Sequence, residues 1–127
     1  MDNIKEQDNT TNESIDNKDT EKAPEVYFED LDLSDNVLDA LYDMRFEKCT
    51  PVQAQCIPPI LEHHDVLGVA QTGTGKTAAF GIHLLHRIDT DSKETQAIVL
   101  SPTRELCLQI AGDLNDYSKY IDGLKVL

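Results

Sequence analysis

The chain has 127 residues, of which 39% are hydrophobic and 28% are charged, and its net charge is −13. This length allows one domain at most, and no apolar run approaches the roughly 20 residues of a membrane span. The acidic balance argues against a simple nucleic-acid-binding domain, which usually presents a basic face.

Residues 1–24 form a polar, acidic tail with almost no apolar side chains. Such a segment cannot bury enough surface to offset the entropy lost on ordering, so we predict that it is disordered. It has no secretory signal, and we therefore expect a cytoplasmic protein with no membrane partner. Residues 25–127 are predicted to be the folded part, a domain truncated at its C-terminal end.

Two helices are predicted first in the folded part. Ser34 is a suitable N-cap for the first helix. The apolar face of that helix consists of Val37, Leu38, Leu41 and Met44. The second helix is predicted to begin with Thr50 as its cap and Pro51 in its first position. Pro58 and Pro59 are expected to end this helix or to start a new turn.

Three short apolar segments, residues 65–70, 97–100 and 125–127, are predicted to be buried strands. Helices are predicted between them, one from residue 76 to about residue 87 and one after Thr103. The apolar face of the latter consists of Leu106, Ile110, Leu114 and Tyr117. The alternation of strands and helices predicts an α/β fold with a parallel sheet. So small a sheet has open edges, and we expect the chain to be the N-terminal piece of a longer protein.

The turn after the first predicted strand has the pattern of a phosphate-binding loop. Its residues are Ala70, Gln71, Thr72, Gly73, Thr74, Gly75, Lys76 and Thr77. This resembles the Walker A pattern, with Ala70 in place of the first glycine. Glycines let backbone N–H groups point at phosphate oxygens, and the helix dipole that follows favours an anion. We expect Lys76 to reach the β- and γ-phosphates of ATP and Thr77 to offer its hydroxyl to Mg²⁺. The alternative is a chance Gly-Thr-rich turn with an exposed lysine.

A second signature lies upstream, in Phe28 and residues 45–53. It resembles the Q motif of DEAD-box RNA helicases, an isolated aromatic followed by Gly-Phe-x-x-Pro-Thr-x-Ile-Gln. The resemblance implies that Gln53 hydrogen-bonds the adenine edge, since a carboxamide both donates and accepts, and that Phe28 stacks on adenine. The alternative for Gln53 is a surface glutamine on an amphipathic helix. The sequence departs from the pattern at Arg45, Cys49 and Val52, which stand in place of Gly, Pro and Ile.

A third segment, residues 101–106, looks like the Pro-Thr-Arg-Glu-Leu element of the same family. The resemblance implies that Pro102, Thr103 and Arg104 contact the RNA backbone, because a helix N-terminus and an arginine both favour phosphate. The alternative is that Thr103 is only a cap and Arg104 only a surface charge.

The histidines are not expected to bind metal. The side chains of His63 and His64 are adjacent and point apart. His83 and His86 lie one helical turn apart, but two potential ligands do not make a zinc site. The family usually has Gly and a basic residue just before Asp65, and a histidine tolerates the left-handed conformation of such a turn better than most side chains.

The resemblance covers residues 26–127 and implies a P-loop NTPase fold, with a RecA-like parallel sheet and flanking helices, of which this is the first part of the N-terminal helicase domain. It implies an ATP-dependent RNA helicase that remodels RNA duplexes with ATP hydrolysis. The Asp-Glu-Ala-Asp segment, the Ser-Ala-Thr element and the second domain are absent from the sequence, so we expect the chain alone to be inactive. The alternatives are a nucleotide-binding module without catalysis and a P-loop ATPase that acts on DNA or protein.

Overall fold

The computed structural model describes residues 24–71, 73 and 75–127. The predicted disorder of the tail therefore lies outside the described residues, apart from Pro24. The helices of the described part are a short 3-10 helix at Phe28–Asp30 and α1 (Asp35–Asp43), α2 (Pro51–Leu61), α3 (Lys76–Arg87) and α4 (Arg104–Tyr117). None of these helices has the length and apolar composition needed to span a membrane.

The starts of α1 and α2 lie where the sequence predicts them, but they are capped differently. The Oγ1 atom of Thr50 accepts a hydrogen bond from the Gln53 backbone N–H, and the Thr50 N–H donates to Oε1 of Gln53. This reciprocal pair is a capping box. The side chain of Ser34 makes no capping bond at α1. Its backbone N–H instead donates to Nδ1 of His86, 3.2 Å away, at the end of α3.

Helix α2 continues through Pro58 and Pro59 to Leu61, so of the two predicted outcomes, a helix end or a new turn, the helix end is wrong. Proline removes the N–H that would bond the carbonyl four residues earlier. The helix continues because its buried face holds it in place: Ile57 has no exposed surface. Hydrogen bonds also resume immediately, with the Glu62 N–H donating to the Pro58 carbonyl.

The four helices pack around one apolar core whose fully buried centre comprises Val37, Leu41, Ile57 and Ile82. Helices α3 and α4 approach closely at Gly81, where an added Cβ would lie 2.8 Å from Cδ2 of Leu114. The C-terminal half of α4 is buried at Leu114 and Tyr117, whereas Leu106 near its start is 38% exposed. The predicted apolar face of α4 is thus covered only along its second half.

The three predicted strands form no sheet within the described part of the chain. Residues 64–70, 95–100 and 124–127 have neither helix nor strand, and no backbone hydrogen bonds join them to one another. The side chains of Leu67, Val69, Ile98 and Leu100 are between 80% and 94% exposed. A parallel strand is stable when neighbours pair with it and helices cover both faces. The described residues therefore form no sheet, and the parallel sheet stays a prediction.

Candidate nucleotide site

Both glycines of the phosphate loop, residues 70–77, are left-handed. Gly73 and Gly75 have φ angles of 80° and 83°, a left-handed region that side chains disfavour. A Cβ added to Gly73 would meet nothing within 4 Å, whereas one added to Gly75 would collide with Nε2 of Gln53. Gly75 is therefore required both for its φ angle and for space. Thr72 and Thr74 lie outside the described residues.

Helix α3 begins in this loop without a side-chain cap. Its N-cap is Gly75, which has no side chain, whereas α2 and α4 are capped by the hydroxyls of Thr50 and Thr103. The first backbone N–H groups of any helix have no partners within the helix and need an outside acceptor. Of the helices α2, α3 and α4, it is therefore α3 that presents its first amides, and the positive end of its dipole, to an anion.

The ammonium of Lys76 bends back over the loop. Its Nζ atom donates to the carbonyl oxygen of Ala70, 2.7 Å away, while the side chain as a whole stays exposed. This contact closes the loop from its first residue to the first residue of α3. Thr77 follows on the first turn of α3 and is half-buried. Both predicted phosphate and magnesium ligands therefore lie at the loop-to-helix junction.

Gln53 connects helix α2 to the phosphate loop. It is only 4% exposed, so the alternative of a surface glutamine is wrong. Its Nε2 atom donates to the Gly75 carbonyl at 3.1 Å, and its Oε1 atom accepts from the Thr50 N–H at 2.9 Å. A carboxamide has two N–H donors and two acceptor lone pairs. One N–H and one lone pair are used within the described part of the chain.

Phe28 lies in the core. Its ring is 3% exposed and belongs to the buried cluster at the centre of the protein. Almost none of its surface is free, because the hydrophobic effect favours burying an aromatic ring against the helices. Stacking of Phe28 on adenine stays a prediction, and it requires the ring to expose a face that is covered in this structure.

Phe28 is held by a two-stranded contact that we call the N-terminal clasp, residues 25–28 paired with residues 47–49. Its centre is an antiparallel bridge between Tyr27 and Lys48. The Phe28 N–H donates to the Glu47 carbonyl at 2.9 Å. The Cys49 N–H donates to the Val26 carbonyl at 2.8 Å.

An ion pair closes the outer end of the clasp. The Nζ atom of Lys48 lies 2.9 Å from Oε1 of Glu25, and the hydroxyl of Tyr27 donates to Oε2 of the same carboxylate. These hydrogen bonds, the one from Lys48 foremost, lower the pKa of Glu25. The pair is exposed to solvent, so it adds little stability by itself and serves to fix the register of the two segments.

Two departures from the family pattern share one backbone feature. Arg45 and His63 are the non-glycine residues of the described part with positive φ, at 62° and 69°. Arg45 stands where the Q motif has Gly, and His63 lies just before Asp65, where the family usually has a Gly. His63 thus adopts the left-handed conformation that a histidine tolerates better than most side chains.

No metal centre is formed by acidic, histidine or cysteine side chains among the described residues, where no group of three or more of them could hold an ion. Burial, followed by the charge of Asp30, raises the pKa of Cys49 to about 11, so this cysteine is a neutral thiol. Nδ1 of His83 is buried and has no hydrogen-bond partner within the described ranges.

The predicted RNA-binding element lies at the start of α4. Pro102, Thr103 and Arg104 are exposed there. The Oγ1 atom of Thr103 accepts from the Leu106 N–H at 3.2 Å, so Thr103 is the cap of α4, as the sequence predicts. Contact of these three residues with RNA stays a prediction.

Several of these contacts were not predicted from the sequence. The pairing of Thr50 with Gln53 could have been found, because Ser/Thr-x-x-Glu/Gln before an apolar run is a capping-box pattern. The bond from Gln53 to Gly75 and the clasp join residues far apart in the chain, and no local pattern reports them.

The chain matches the family model for DEAD/DEAH box helicases over residues 50–127. It is 50% identical over 103 residues to the ATP-dependent RNA helicase DeaD of Escherichia coli strain K12, covering 81% of this chain and 16% of that protein. It is 48% identical over 93 residues to the DEAD-box ATP-dependent RNA helicase CshA of Bacillus cereus, covering 73% of this chain and 18% of that protein.

Solved structures of the same family resemble the fold. A DEAD box protein from Methanococcus jannaschii is 38% identical, with a TM-score of 0.70 over 75% of this chain and 26% of that one. Saccharomyces cerevisiae Dbp5 bound to RNA and ADP BeF3 is 34% identical, with a TM-score of 0.68 over 74% of this chain and 25% of that one. With the family model matched from the Thr50 cap of α2 through the phosphate loop and α4, the chain belongs to the DEAD/DEAH box helicase family.

Proposed function

We propose that this chain forms the ATP-binding part of an ATP-dependent RNA helicase that remodels RNA duplexes. The observation that carries the proposal is the bond from Gln53 to Gly75, which joins the Q-motif helix to the phosphate loop. The chain spans less than a fifth of the curated relatives named above, so the activity of a whole helicase goes beyond its own residues. The RecA-like parallel sheet and the cytoplasmic location expected from the sequence belong to the proposal as well.

The phosphates of ATP would lie in the loop at residues 70–77. The uncapped start of α3 supplies N–H groups and a positive dipole end, and Lys76 supplies the cation. Binding requires the Lys76 ammonium to exchange the Ala70 carbonyl for phosphate oxygens. A polyphosphate fits this loop, because the left-handed Gly73 and Gly75 have no side chains that would keep phosphate oxygens away from the backbone N–H groups.

Mg²⁺ fits this site only together with the nucleotide. Thr77 offers one hydroxyl oxygen, and the described residues contain no acidic cluster that would hold the ion by itself. Mg²⁺ retains several waters and is commonly held by one or two protein groups plus substrate phosphates. When bound it would neutralise the charge that develops on the phosphates.

Adenine selectivity is assigned to Gln53. Its internal bonds fix the orientation of the carboxamide, with nitrogen toward Gly75 and oxygen toward Thr50. The remaining N–H and the remaining lone pair match an adenine edge, which offers an acceptor nitrogen beside an amino group. Guanine presents a carbonyl where adenine presents the amino group, so the fixed carboxamide discriminates against it.

RNA is the proposed polynucleotide partner. The exposed start of α4 with Arg104 provides amides and a cation for a phosphate of the backbone. Support comes from the relatives, one of which was solved bound to RNA. The net charge of −13 does not favour nucleic acid, so we propose a local contact at α4 rather than a general electrostatic attraction.

Isothermal titration of the chain with ATP and with GTP, in the presence of Mg²⁺, tests the proposal. We expect ATP to bind roughly tenfold more tightly than GTP, because one poorly matched hydrogen-bond pair is equivalent to about 1.4 kcal/mol. Gln53→Leu should abolish this preference, whereas Gln55→Leu, an exposed glutamine on the same helix, should preserve it. Equal affinity of the wild-type chain for ATP and GTP would refute the assignment.

Phosphate release separates binding from catalysis. The chain provides one ammonium, Lys76, and one hydroxyl, Thr77, which are too few groups to stabilise the transition state of phosphoryl transfer. We expect the 127-residue chain to bind ATP and to release phosphate no faster than Lys76→Ala. Turnover that Lys76→Ala abolishes would contradict the expected inactivity of this chain.

A further inference from the structure

Ser34 begins helix α1 through its backbone rather than its side chain. Its carbonyl oxygen accepts the first bonds of the helix, from the N–H groups of Val37 and Leu38. Among the described residues, its hydroxyl makes no capping bond. The Ser34 N–H donates to Nδ1 of His86, which lies 3.2 Å away and 52 residues further along the chain. The start of α1 is therefore fastened to the end of α3 through one imidazole nitrogen.

This bond requires the neutral form of His86. A backbone N–H can only donate, so Nδ1 is the unprotonated nitrogen of the ring and Nε2 carries the hydrogen. In an imidazolium both ring nitrogens carry a hydrogen, and neither can accept. The gain of one proton by His86 therefore removes the bond from Ser34. Histidine is the side chain whose charge ordinarily changes between about pH 5 and pH 8.

The position of His86 on α3 provides an alternative to this bond. His86 and Arg87 lie in the last turn of α3, where the carbonyl groups form the negative end of the helix dipole. A cation is favoured at such a helix end. Because His86 is exposed, two arrangements compete. In one the neutral ring accepts from Ser34, and in the other the charged ring faces water and the carbonyl end of its own helix.

Carboxylates from the element beside His86 favour its proton. Asp35 lies in the first turn of α1, and Asp32 precedes that helix. Helix α4 packs against the middle of α3, at Gly81, and its acidic side chains there are Asp113 and Asp116. They lie nearer the phosphate end of α3, so Asp32 and Asp35 are the negative charges adjacent to the bond.

Cationic groups at the same end of α3 oppose the proton. The charges of Arg87, His86 and His63 all act on His83, so these four side chains form one cluster. His63 belongs to the turn that follows α2, and the others lie on α3. A proton gained by one member makes protonation of the others less favourable. His86 connects this cluster to α1 through its bond from Ser34.

We propose that the bond from Ser34 to His86 is a pH-sensitive link between α1 and α3, closed when His86 is neutral and open when it gains a proton. The opening is local, because it frees the first turn of α1 while the buried centre at Leu41 and Ile82 stays packed. The link does not involve the phosphate loop, so it stands or falls independently of nucleotide binding.

Amide hydrogen exchange of the full chain, expressed as protection relative to an unstructured amide at the same pH, provides the first test. We expect the Ser34 amide to lose roughly fivefold of its protection between about pH 7.5 and 5.5, the effect of losing one hydrogen bond of typical net strength. The Ile82 amide reports the global fold and identifies a variant that has only become less stable.

Three variants assign the effect to Nδ1. His86→Asn places a carboxamide oxygen near the position of Nδ1 and should keep the protection of Ser34 at both pH values. His86→Leu has no acceptor and should show the low protection at both. His64→Asn, at an exposed histidine after α2, should retain the wild-type pH dependence. Constant protection of Ser34 in the wild-type chain, or an equal loss in His86→Asn, would overturn the proposal.

A titration followed by NMR provides the second test. The ring C–H signals of His86 and the amide signal of Ser34 should move with one common midpoint, because one proton changes both. Carboxylates ordinarily titrate at about pH 4. A Ser34 midpoint in that range, or one that differs from the midpoint of the His86 ring, would contradict the link.

Discussion

Arg45 directly follows the C-cap of α1 with a φ of 62°. An L-residue with a Cβ in this region carries a strain of about 1 kcal/mol, which glycine avoids. Arg45 is exposed, so a substitution should lose little packing. We expect Arg45→Gly to raise the free energy of unfolding by about 1 kcal/mol in urea denaturation. Asn36→Gly, at an exposed position in the first turn of α1, should lower it by about 0.3 kcal/mol, and stabilisation by both would refute the strain argument.

His83 makes the stability of the fold depend on pH. Burial, followed by the charges of Arg87, His86 and His63, lowers the pKa of His83 from its ordinary value of 6.5. The folded state therefore favours the neutral imidazole, and the unfolded state takes up a proton first as the pH falls. The free energy of unfolding is therefore unaffected by His83 above about pH 6.5 and decreases as the pH falls below that value.

We expect the free energy of unfolding to decrease when the pH is lowered from 7.5 to 5.5, and to decrease less in His83→Leu. The other three histidines of the chain are retained in the variant, so the difference between the two proteins reports His83 together with its interactions with His86 and His63. An identical pH dependence of the two proteins would show that His83 does not bind its proton more weakly in the folded state.

Residue-level features were predictable where they depend on near neighbours in the chain. The threonine caps, the proline at the start of α2 and the left-handed His63 all follow from residue type and local context. The burial of Gln53 and Phe28 could not be derived in this way. Each depends on a partner more than 15 residues distant, Gly75 for Gln53 and Glu47 for Phe28.

At the level of elements, the start of α4 depends on the hydroxyl of Thr103. It accepts a hydrogen bond from the Leu106 N–H, and the cap is exposed, so the effect of removing it is local. Thr103→Val preserves the shape of the side chain and removes the acceptor. We expect this variant to lower the free energy of unfolding by about 1 kcal/mol.

Urea denaturation of Thr103→Val and of a control, Thr95→Val, measures this effect. Thr95 lies in an exposed segment without helix or strand, and its substitution should change the stability by less than about 0.5 kcal/mol. Equal stability of both variants and the wild-type chain would mean that the cap is replaced by water.

Helix α2 shows where local rules fail at this scale. Pro58 and Pro59 predict a helix end or a new turn, yet α2 runs on to Leu61. The buried Ile57 and its neighbours in the core outweigh the two missing N–H donors. Tertiary packing routinely overrides local propensity, and it is not readable from the residues of the helix itself.

At the scale of the whole molecule, the helices form a core and the apolar segments between them do not. Leu67 and Val69 follow α2, and Ile98 and Leu100 precede α4, all with more than three quarters of their surface exposed. The sequence identifies these segments as strand-like by composition. It does not specify their pairing, because a sheet forms only when partners distant in the chain are in place.

We expect the isolated chain to bind a hydrophobic dye and to self-associate through these segments, because exposed apolar strand-like segments are prone to aggregate. The double variant Leu67→Ser, Ile98→Ser should reduce both dye fluorescence and the associated fraction in sedimentation experiments. Tyr42→Ser is the control, since Tyr42 is 72% exposed on α1. An equal reduction by the control would show that association does not depend on the unpaired segments.

The carbonyl of Ala70 competes with an incoming anion for the ammonium of Lys76. The ammonium already has a hydrogen-bond acceptor from within the chain, so an incoming anion gains only the difference between two partners. A neutral carbonyl is a much weaker partner for a cation than a doubly charged phosphate. Inorganic monoanions should therefore leave this lysine where it is, and only a ligand with high local charge density should draw it away.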